Sequence, residues 1–170
     1  MTPSPQHGLV KWLTEVLKPL RDHFCPYSVT NSVDFLSRLG NRNPFVGQMM
    51  SFDISSLFTN VPLNETVIKQ RLTDHPELLS SNVPVIEAMS TDEVCSLILM
   101  TVQNVDFKFD GSFFRQIDGI AMGTPLGPIL ADLFLASLES GSMSPIINKA
   151  TLYASYIHDT FLLLNQDQNP

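Results

Sequence analysis

The chain of 170 residues is poor in cysteine and in positive charge, and it contains no long apolar run. Its two cysteines, Cys25 and Cys95, have no close partner spacing, so neither a disulfide framework nor a thiolate metal site is expected. No stretch approaches the roughly 20 apolar residues that cross a bilayer, and the N-terminus lacks the order of a secretory signal. These absences argue against a disulfide-stapled secreted domain and against a membrane protein, and we expect an intracellular location.

The charge balance argues against a chain that binds nucleic acid by itself. Ten basic residues stand against 17 acidic ones, which gives a formal net charge of −7. Contacts to phosphates need Lys and Arg, and they usually dominate affinity for nucleic acid. The chain is nevertheless 44% hydrophobic, enough to bury the core of one domain or of part of a larger one. A nucleic-acid function would therefore have to rest on motifs.

Two amphipathic helices are predicted before residue 45. The first covers Gly8–Leu20, where the apolar residues recur every three or four positions, and Pro19 is expected to end it. The second lies between Ser28 and Gly40, and a turn is predicted at 41–44. Its predicted buried side consists of Val33, Phe35, Leu36 and Leu39.

A strand and two further helices are predicted next. The strand runs over Phe45–Ile54 and carries Asp53 at its C-terminal end. A helix follows from about Val61 to Leu72, and a loop is expected over 75–84. The sequence Ser90-Thr91-Asp92-Glu93 is typical of a capping box, which predicts a helix from there to about Asn104.

The last third of the chain is predicted to form two β-hairpins separated by a glycine-rich loop and a helix. Asp110-Gly111 predicts a tight type I′ turn between strands at 105–109 and 112–117. The loop 118–128 leads into a buried helix over Ile129–Leu138. The second hairpin pairs 151–157 with 160–164, with His158-Asp159 at its tip. The expected fold class is α+β with an antiparallel sheet.

Asp53 and Asp159 are the candidate catalytic carboxylates. If their strands are neighbours in one antiparallel sheet, both side chains meet at a single edge. Oxygen ligands on rigid strands suit two-metal nucleotidyl transfer, in which the metals stand about 4 Å apart. Either Asp could equally cap or solvate a strand end, and spacing alone leaves that alternative open.

The order of three sequence blocks adds a family resemblance. SFDISSLFTNVPL, FFRQIDGIAMGTPLGPILADLFL and YIHDTFLLL resemble motifs A, B and C of reverse transcriptases, and IDGIAMGTPLGP is most similar to Penelope-like retroelements. KWLTEVLKPL and SVTNSVDFLSRL resemble the segment before motif A in that group. The resemblance implies a fragment: 1–44 as a helical fingers–palm junction, 45–170 as a partial palm whose antiparallel sheet packs on helices, and neither thumb nor endonuclease module.

Carried over to this chain, the resemblance assigns the metal and nucleotide contacts. Asp53, the backbone carbonyl of Ile54 and Asp159 would bind Mg²⁺ (or Mn²⁺). Phe58 matches the aromatic residue that stacks under the sugar and excludes a 2′-hydroxyl, although a core Phe is the alternative that spacing alone favours.

The same resemblance assigns the glycine-rich loop to template and base-pair contacts. Gly119, Met122, Gly123 and Pro125 would lie against nucleic acid, where glycine leaves room for close backbone approach. Gln116, with Asp118 and Arg115, would hydrogen-bond nucleic acid, although Arg115 fits a solvated strand residue equally well. Asp132 is expected to be solvated or to pair locally. The implied partners are an RNA template, a DNA primer, a dNTP and the missing fingers and thumb, and the family suggests the nucleus.

One residue departs from the family pattern at motif C. The pattern has an aromatic, a variable residue and two aspartates, whereas Tyr156-Ile157 is followed here by His158 and Asp159. Imidazole is a poor ligand for Mg²⁺, so the degenerate His158 makes metal binding doubtful and predicts an impaired RNA-directed DNA polymerase. Whether this copy is an enzyme stays open. The alternative is a non-catalytic, domesticated or degenerate palm that binds nucleic acid or protein.

Overall fold

The computed structural model describes residues 6–40, 47–62, 66–79, 89–103 and 105–165. The turn predicted at 41–44 and the second half of the loop predicted over 75–84 lie outside these ranges. Within them, no helix is both long and apolar enough to cross a membrane. The chain divides into two compact units, Met1–Phe24 with Ser56–Phe134 and Cys25–Ser55 with Leu135–Pro170.

The described residues combine helices with two antiparallel sheets, as the α+β prediction states. The elements in chain order are α1 (His7–Phe24), α2 (Ser32–Leu39), β1 (Gly47–Asp53), α3 (Leu57–Asn60), α4 (Thr66–Asp74), a 3-10 turn (Pro76–Leu78), α5 (Thr91–Val102), β2 (Asp106–Phe109), β3 (Ser112–Arg115), α6 (Gly127–Ser140), α7 (Ser144–Ile147), β4 (Leu152–Tyr156) and β5 (Asp159–Asn165). Strands β1, β5 and β4 form one sheet in that order, and β2 pairs with β3 in the other.

Helix α1 is amphipathic as predicted, but it does not end at Pro19. It continues to Phe24 and buries Val10, Leu13, Val16, Leu17 and Leu20. Proline removes the hydrogen bond to the carbonyl four residues earlier, that of Glu15. Both Pro19 and Glu15 lie on the exposed side of the helix, where water can solvate that carbonyl. Burial of Leu20 then favours a further helical turn.

A buried ion pair joins α1 to α6 within the first unit. The Arg21 Nε donates to Asp132 Oδ2 over 2.8 Å, and the Asp132 side chain is 7% exposed. Burial lowers the pKa of the Arg21 guanidinium, but the hydrogen bond and the charge of Asp132 raise that pKa, and the net result lies above its ordinary value. The expectation that Asp132 would be solvated or paired locally is therefore wrong, because its partner is 111 residues away.

Helix α5 begins with the predicted capping box. The Ser90 hydroxyl accepts from the Glu93 backbone N–H, and the Glu93 carboxylate accepts from the Ser90 backbone N–H over 2.7 Å. The hydrogen bonds from the Ser90 backbone and hydroxyl lower the pKa of Glu93. Behind this cap, Val94, Cys95, Ile98 and Val102 are buried. Cys25 is buried as well.

Replacing Ser90 by alanine is expected to lower the free energy of unfolding by about 1 kcal/mol, because a donor at the start of α5 loses its acceptor. Urea unfolding followed by circular dichroism measures this. Since the pKa of Glu93 is depressed, the stabilisation from its side of the box is complete above its unfolded pKa, and it is lost as the pH falls through the folded pKa.

Ser96→Ala is the matched control, because the Ser96 hydroxyl only donates to the Asp92 carbonyl inside the same helix. Alanine is the better helix former there, so the control should leave stability unchanged or raise it slightly. Equal losses from the two variants would contradict the capping role of Ser90.

The β2–β3 hairpin follows the Asp110-Gly111 prediction. Asp110 has φ +47° and Gly111 has φ +78°, as a type I′ turn requires. Phe107 stacks on Phe114 across the strands, with ring centroids 5.6 Å apart, and both rings are about half exposed. The hairpin therefore presents aromatic surface to its surroundings.

The second unit is built on the sheet β1-β5-β4. Helix α2 lies in this unit between the Asn31 side-chain cap and Gly40, which has φ +61°. Its predicted buried side is wrong in part, because Val33 is 75% and Leu36 61% exposed. Phe35, which belongs to the predicted side, does meet Phe161 of β5 edge to face, so one narrow edge of this short helix packs on the sheet.

A tyrosine and a glutamate form a buried polar pair on the other side of β4. The Tyr153 hydroxyl donates to Glu139 Oε1 over 2.9 Å, and both residues are buried. Burial, followed by the charge of Glu139, raises the pKa of Tyr153 far above its ordinary value, so the phenol stays protonated. Tyr153 also belongs to an apolar cluster with Ile147 and Leu162.

Candidate functional site

Asp53 and Asp159 stand directly opposite one another on neighbouring strands. β1 pairs antiparallel with β5, and the register places Asp53, the last residue of β1, against Asp159, the first residue of β5. Residues opposite one another in a sheet project from the same face, with Cβ atoms about 4.5–5.5 Å apart. The expectation that the two carboxylates meet at one edge of an antiparallel sheet is confirmed.

The tip of the β4–β5 hairpin differs by one residue from the prediction. Ile157 and His158 form the turn, whereas His158-Asp159 was expected there. A two-residue connection lets Tyr156 pair directly with Asp159, so Asp159 belongs to the central strand. Ile157 takes φ +54°, an uncommon conformation for a β-branched residue. The turn is fixed against β1 because the Ile54 N–H donates to the His158 carbonyl over 2.8 Å.

His158 lies beside the two carboxylates. Asp53, His158 and Asp159 each offer one ligand atom, and these three atoms lie within 4.8 Å of one another. The His158 Nε2 is 4.0 Å from Asp159 Oδ2, and both side chains are more than half exposed. Among the residues that the structure describes, these three lie close enough together to be candidate ligands of one metal ion.

The donor set fits one divalent cation and does not fit the pair of Mg²⁺ ions that the motif pattern implies. Two carboxylates neutralise the charge of one such cation. A second divalent cation about 4 Å away would repel the first by about 4 kcal/mol even in bulk water, and His158 supplies no negative charge to offset that. The role of the Ile54 backbone carbonyl as a metal ligand stays a prediction.

Phe58 lies in the first unit and packs within the chain. It belongs to the short helix α3 and is partly buried. A Cβ added at Gly127 would lie 3.2 Å from the Phe58 ring, and the Phe58 carbonyl accepts from the Ile120 N–H over 2.7 Å. Phe58 therefore lies beside both ends of the glycine-rich loop, and its role as a sugar gate stays a prediction.

The glycines of the loop serve different purposes. Gly119 has φ +72°, and a Cβ there would come within 2.6 Å of the Thr59 backbone, so the chain itself fills the space. Gly123 has φ +91° and nothing within 4 Å of such a Cβ. Met122 beside it is 76% exposed, and Pro125 is partly buried. The exposed positions of the loop are therefore its 122–123 tip and its two end residues, Asp118 and Pro128.

The polar residues before the loop bind protein groups in this structure. Arg115 Nε donates to Asp106 Oδ1 over 2.8 Å across the β2–β3 hairpin, and this bond lowers the pKa of Asp106. Gln116 donates to the Asp118 carbonyl, and the Asp118 carboxylate accepts from the Gly119 N–H. The predicted contacts of these side chains with nucleic acid stay predictions.

Sequence patterns gave no sign of an open cavity beside Asp159. Its volume is about 400 Å³, and it lies wholly within the second unit. Its walls come from β4, β5, Ser51 of β1 and the start of α2, and they include Phe35, Tyr156 and Phe161. These segments lie far apart in the sequence, so their spacing alone does not predict that they line one cavity.

No protein-family model and no curated protein matches the chain. Its fold is nevertheless similar to that of solved telomerase structures. Telomerase from Candida albicans, in complex with a TWJ fragment of telomeric RNA, is 14% identical with a TM-score of 0.62, covering 94% of this chain and 30% of that one. Apo telomerase from Candida tropicalis, truncated from its C-terminal domain, is 16% identical with a TM-score of 0.58, covering 96% and 34%.

A second structure of apo telomerase from Candida tropicalis is 14% identical with a TM-score of 0.54, and it covers 98% of this chain and 32% of that one. The chain thus spans about a third of the length of the solved structures that it resembles. At these identities the likeness concerns the fold alone.

Proposed function

We propose that this chain is a palm segment of an RNA-directed DNA polymerase of the Penelope-like type, in which His158 impairs two-metal nucleotidyl transfer. The observation that carries the proposal is the direct pairing of Asp53 with Asp159 at one sheet edge. Like charges directly opposite one another destabilise a sheet. The pairing of Asp53 with Asp159 therefore works against stability, and a bound cation that offsets the repulsion explains it better.

The chemistry of such a site depends on oxygen ligands. Divalent cations bound there would supply the positive charge that favours a deprotonated primer hydroxyl and neutralises a triphosphate. In this chain Asp53 and Asp159 would supply the carboxylates, and the Ile54 carbonyl a further oxygen. The His158 imidazole stands where the family pattern has its first motif C aspartate, so the site has one negative charge fewer. That deficit favours weak binding of Mg²⁺ and little polymerase activity.

An RNA template, a DNA primer and a dNTP are the proposed partners. The accessible 122–123 tip would face the nucleic acid, and the ring of Phe58, held at the base of the same loop, would exclude a 2′-hydroxyl. With a net charge of −7, the chain needs basic segments outside it to bind phosphates. The proposal therefore requires fingers and thumb supplied by a longer polypeptide, and it implies a nuclear location.

The test is primer extension on an RNA template with the chain extended to include fingers and thumb. We expect extension product from the His158→Asp variant and little or none from the parent, because only the variant restores the third carboxylate. Adding Asp53→Asn to the active variant should abolish the product. Asp110→Asn is the matched control, since Asn-Gly suits the same type I′ turn and should leave extension unchanged.

Equal extension by the parent and by the His158→Asp variant would contradict the impairment. A lack of product from both would contradict the polymerase proposal and favour the second candidate, a non-catalytic binding module. The exposed aromatic side chains of the β2–β3 hairpin support that second candidate, since Phe109 is 69% and Phe113 79% exposed. Surfaces of this kind often mark sites of protein interaction.

A further inference from the structure

We infer that Asp53, His158 and Asp159 form a mononuclear site for a borderline divalent cation such as Zn²⁺, in preference to Mg²⁺. The inference rests on the proposed function for the assignment of the two carboxylates as cation ligands, and it goes further in naming the cation and the stoichiometry. Its basis is the chemistry of the third ligand together with the geometry of the sheet edge.

The geometry brings three ligand atoms close to the separation that one metal ion needs. Ligand atoms bound to one Zn²⁺ at about 2.0–2.2 Å stand roughly 3–3.5 Å apart. The corresponding atoms here lie within 4.8 Å of one another, and His158 Nε2 and Asp159 Oδ2 are 4.0 Å apart. Because all three side chains are exposed, rotations about their side-chain bonds can close the remaining gap without moving the backbone.

The backbone that carries these side chains is held from both sides. Asp159 pairs with Tyr156 and with Asp53, and the Ile54 N–H donates to the His158 carbonyl. Three ligands on one hydrogen-bonded edge resemble the number that a catalytic zinc site takes from protein, with the remaining position left open. A cavity lined by Asp159, although not by Asp53 or His158, opens next to this group.

The imidazole decides the selectivity. Zn²⁺ and Mn²⁺ accept nitrogen and oxygen ligands together, whereas Mg²⁺ requires oxygen ligands in nearly ideal octahedral geometry. Neutral imidazole adds a ligand without adding charge, so two carboxylates and one divalent cation leave the site neutral. Histidine in place of the first motif C aspartate thus weakens Mg²⁺ binding and at the same time creates a site for a different metal.

The test titrates the chain with ZnCl₂, MnCl₂ and MgCl₂ separately, with heat and the imidazole ¹H–¹⁵N NMR signals as readouts. We expect one Zn²⁺ per chain, a shift of the ring signal that disappears in His158→Gln, and Zn²⁺ binding at least tenfold weaker in that variant. His158→Asp should bind Mg²⁺ at least tenfold more tightly than the parent. His75→Gln is the control, since His75 lies near Glu77 in the other unit.

Several outcomes would overturn the inference. One is equal Zn²⁺ affinity in the parent and in His158→Gln. A second is the binding of two Zn²⁺ ions by the parent, both of which are lost on that substitution. A third is equal Mg²⁺ affinity in the parent and in His158→Asp. Primer extension by the His158→Asp protein would leave the proposed function standing in each of these cases. If the parent chain prefers Zn²⁺ but the His158→Asp protein does not extend a primer, the metal site is upheld and the proposed polymerase function is overturned.

Discussion

Gly119→Ala is expected to lower the free energy of unfolding by about 2–5 kcal/mol, as the sum of two effects at one position. At φ +72° a side chain meets its own backbone, and the added Cβ would also come within 2.6 Å of the Thr59 Cα and carbonyl oxygen. Neither obstacle is a flexible side chain that can turn away. Relief requires the loop or α3 to move, which breaks the hydrogen bond from Ile120 to the Phe58 carbonyl.

Gly123→Ala separates the two effects, because Gly123 has φ +91° and open space around it. Only the backbone penalty applies there, about 1–2 kcal/mol. Chemical unfolding of both variants, followed by tryptophan fluorescence and circular dichroism, gives the comparison. Similar losses at the two positions would show that the close approach of Gly119 to Thr59 contributes nothing.

Local patterns predicted those parts of the fold that local interactions determine. The apolar periodicity of α1, the Ser90 capping box and the Asp110-Gly111 turn each depend on residues a few positions apart, and each is found. The predicted buried face of α2 was wrong at Val33 and Leu36, because four apolar positions on an eight-residue helix do not say which of them meets the sheet. The prediction that Pro19 ends α1 was wrong because Pro19 lies on the exposed side of the helix, a position that packing determines.

The placement of Asp53 and Asp159 beside one another was predictable from the sequence, whereas their role as metal ligands stays a prediction. The end of a strand and a hairpin tip identified Asp53 and Asp159, and the antiparallel register then placed them opposite one another. The one-residue shift of the turn needed the structure, since a turn at Ile157-His158 requires a β-branched residue at positive φ. The spacing of residues also does not predict contacts between distant segments. Such contacts form the cavity beside Asp159 and bring the Thr59 backbone close to Gly119.

Asp132→Ala is expected to lower the free energy of unfolding by about 3 kcal/mol, since removing one partner leaves the other charge in a mostly buried position. The Arg21 side chain is 19% exposed, so water offsets part of the loss. The pairing joins residues 111 positions apart and therefore stabilises the packing of α1 on α6 in the first unit. Urea unfolding of the variant at neutral pH measures the effect.

Asp22→Ala is the matched control, because Asp22 binds the same guanidinium over 3.1 Å but is 54% exposed. Exposed pairs contribute about 0–1 kcal/mol, so the control should change stability little. The double variant Arg21→Met/Asp132→Leu removes both charges and keeps apolar volume, and it should recover much of the loss from Asp132→Ala. A double variant as unstable as the sum of its single variants would show that the two residues act independently, since coupled partners depart from additivity.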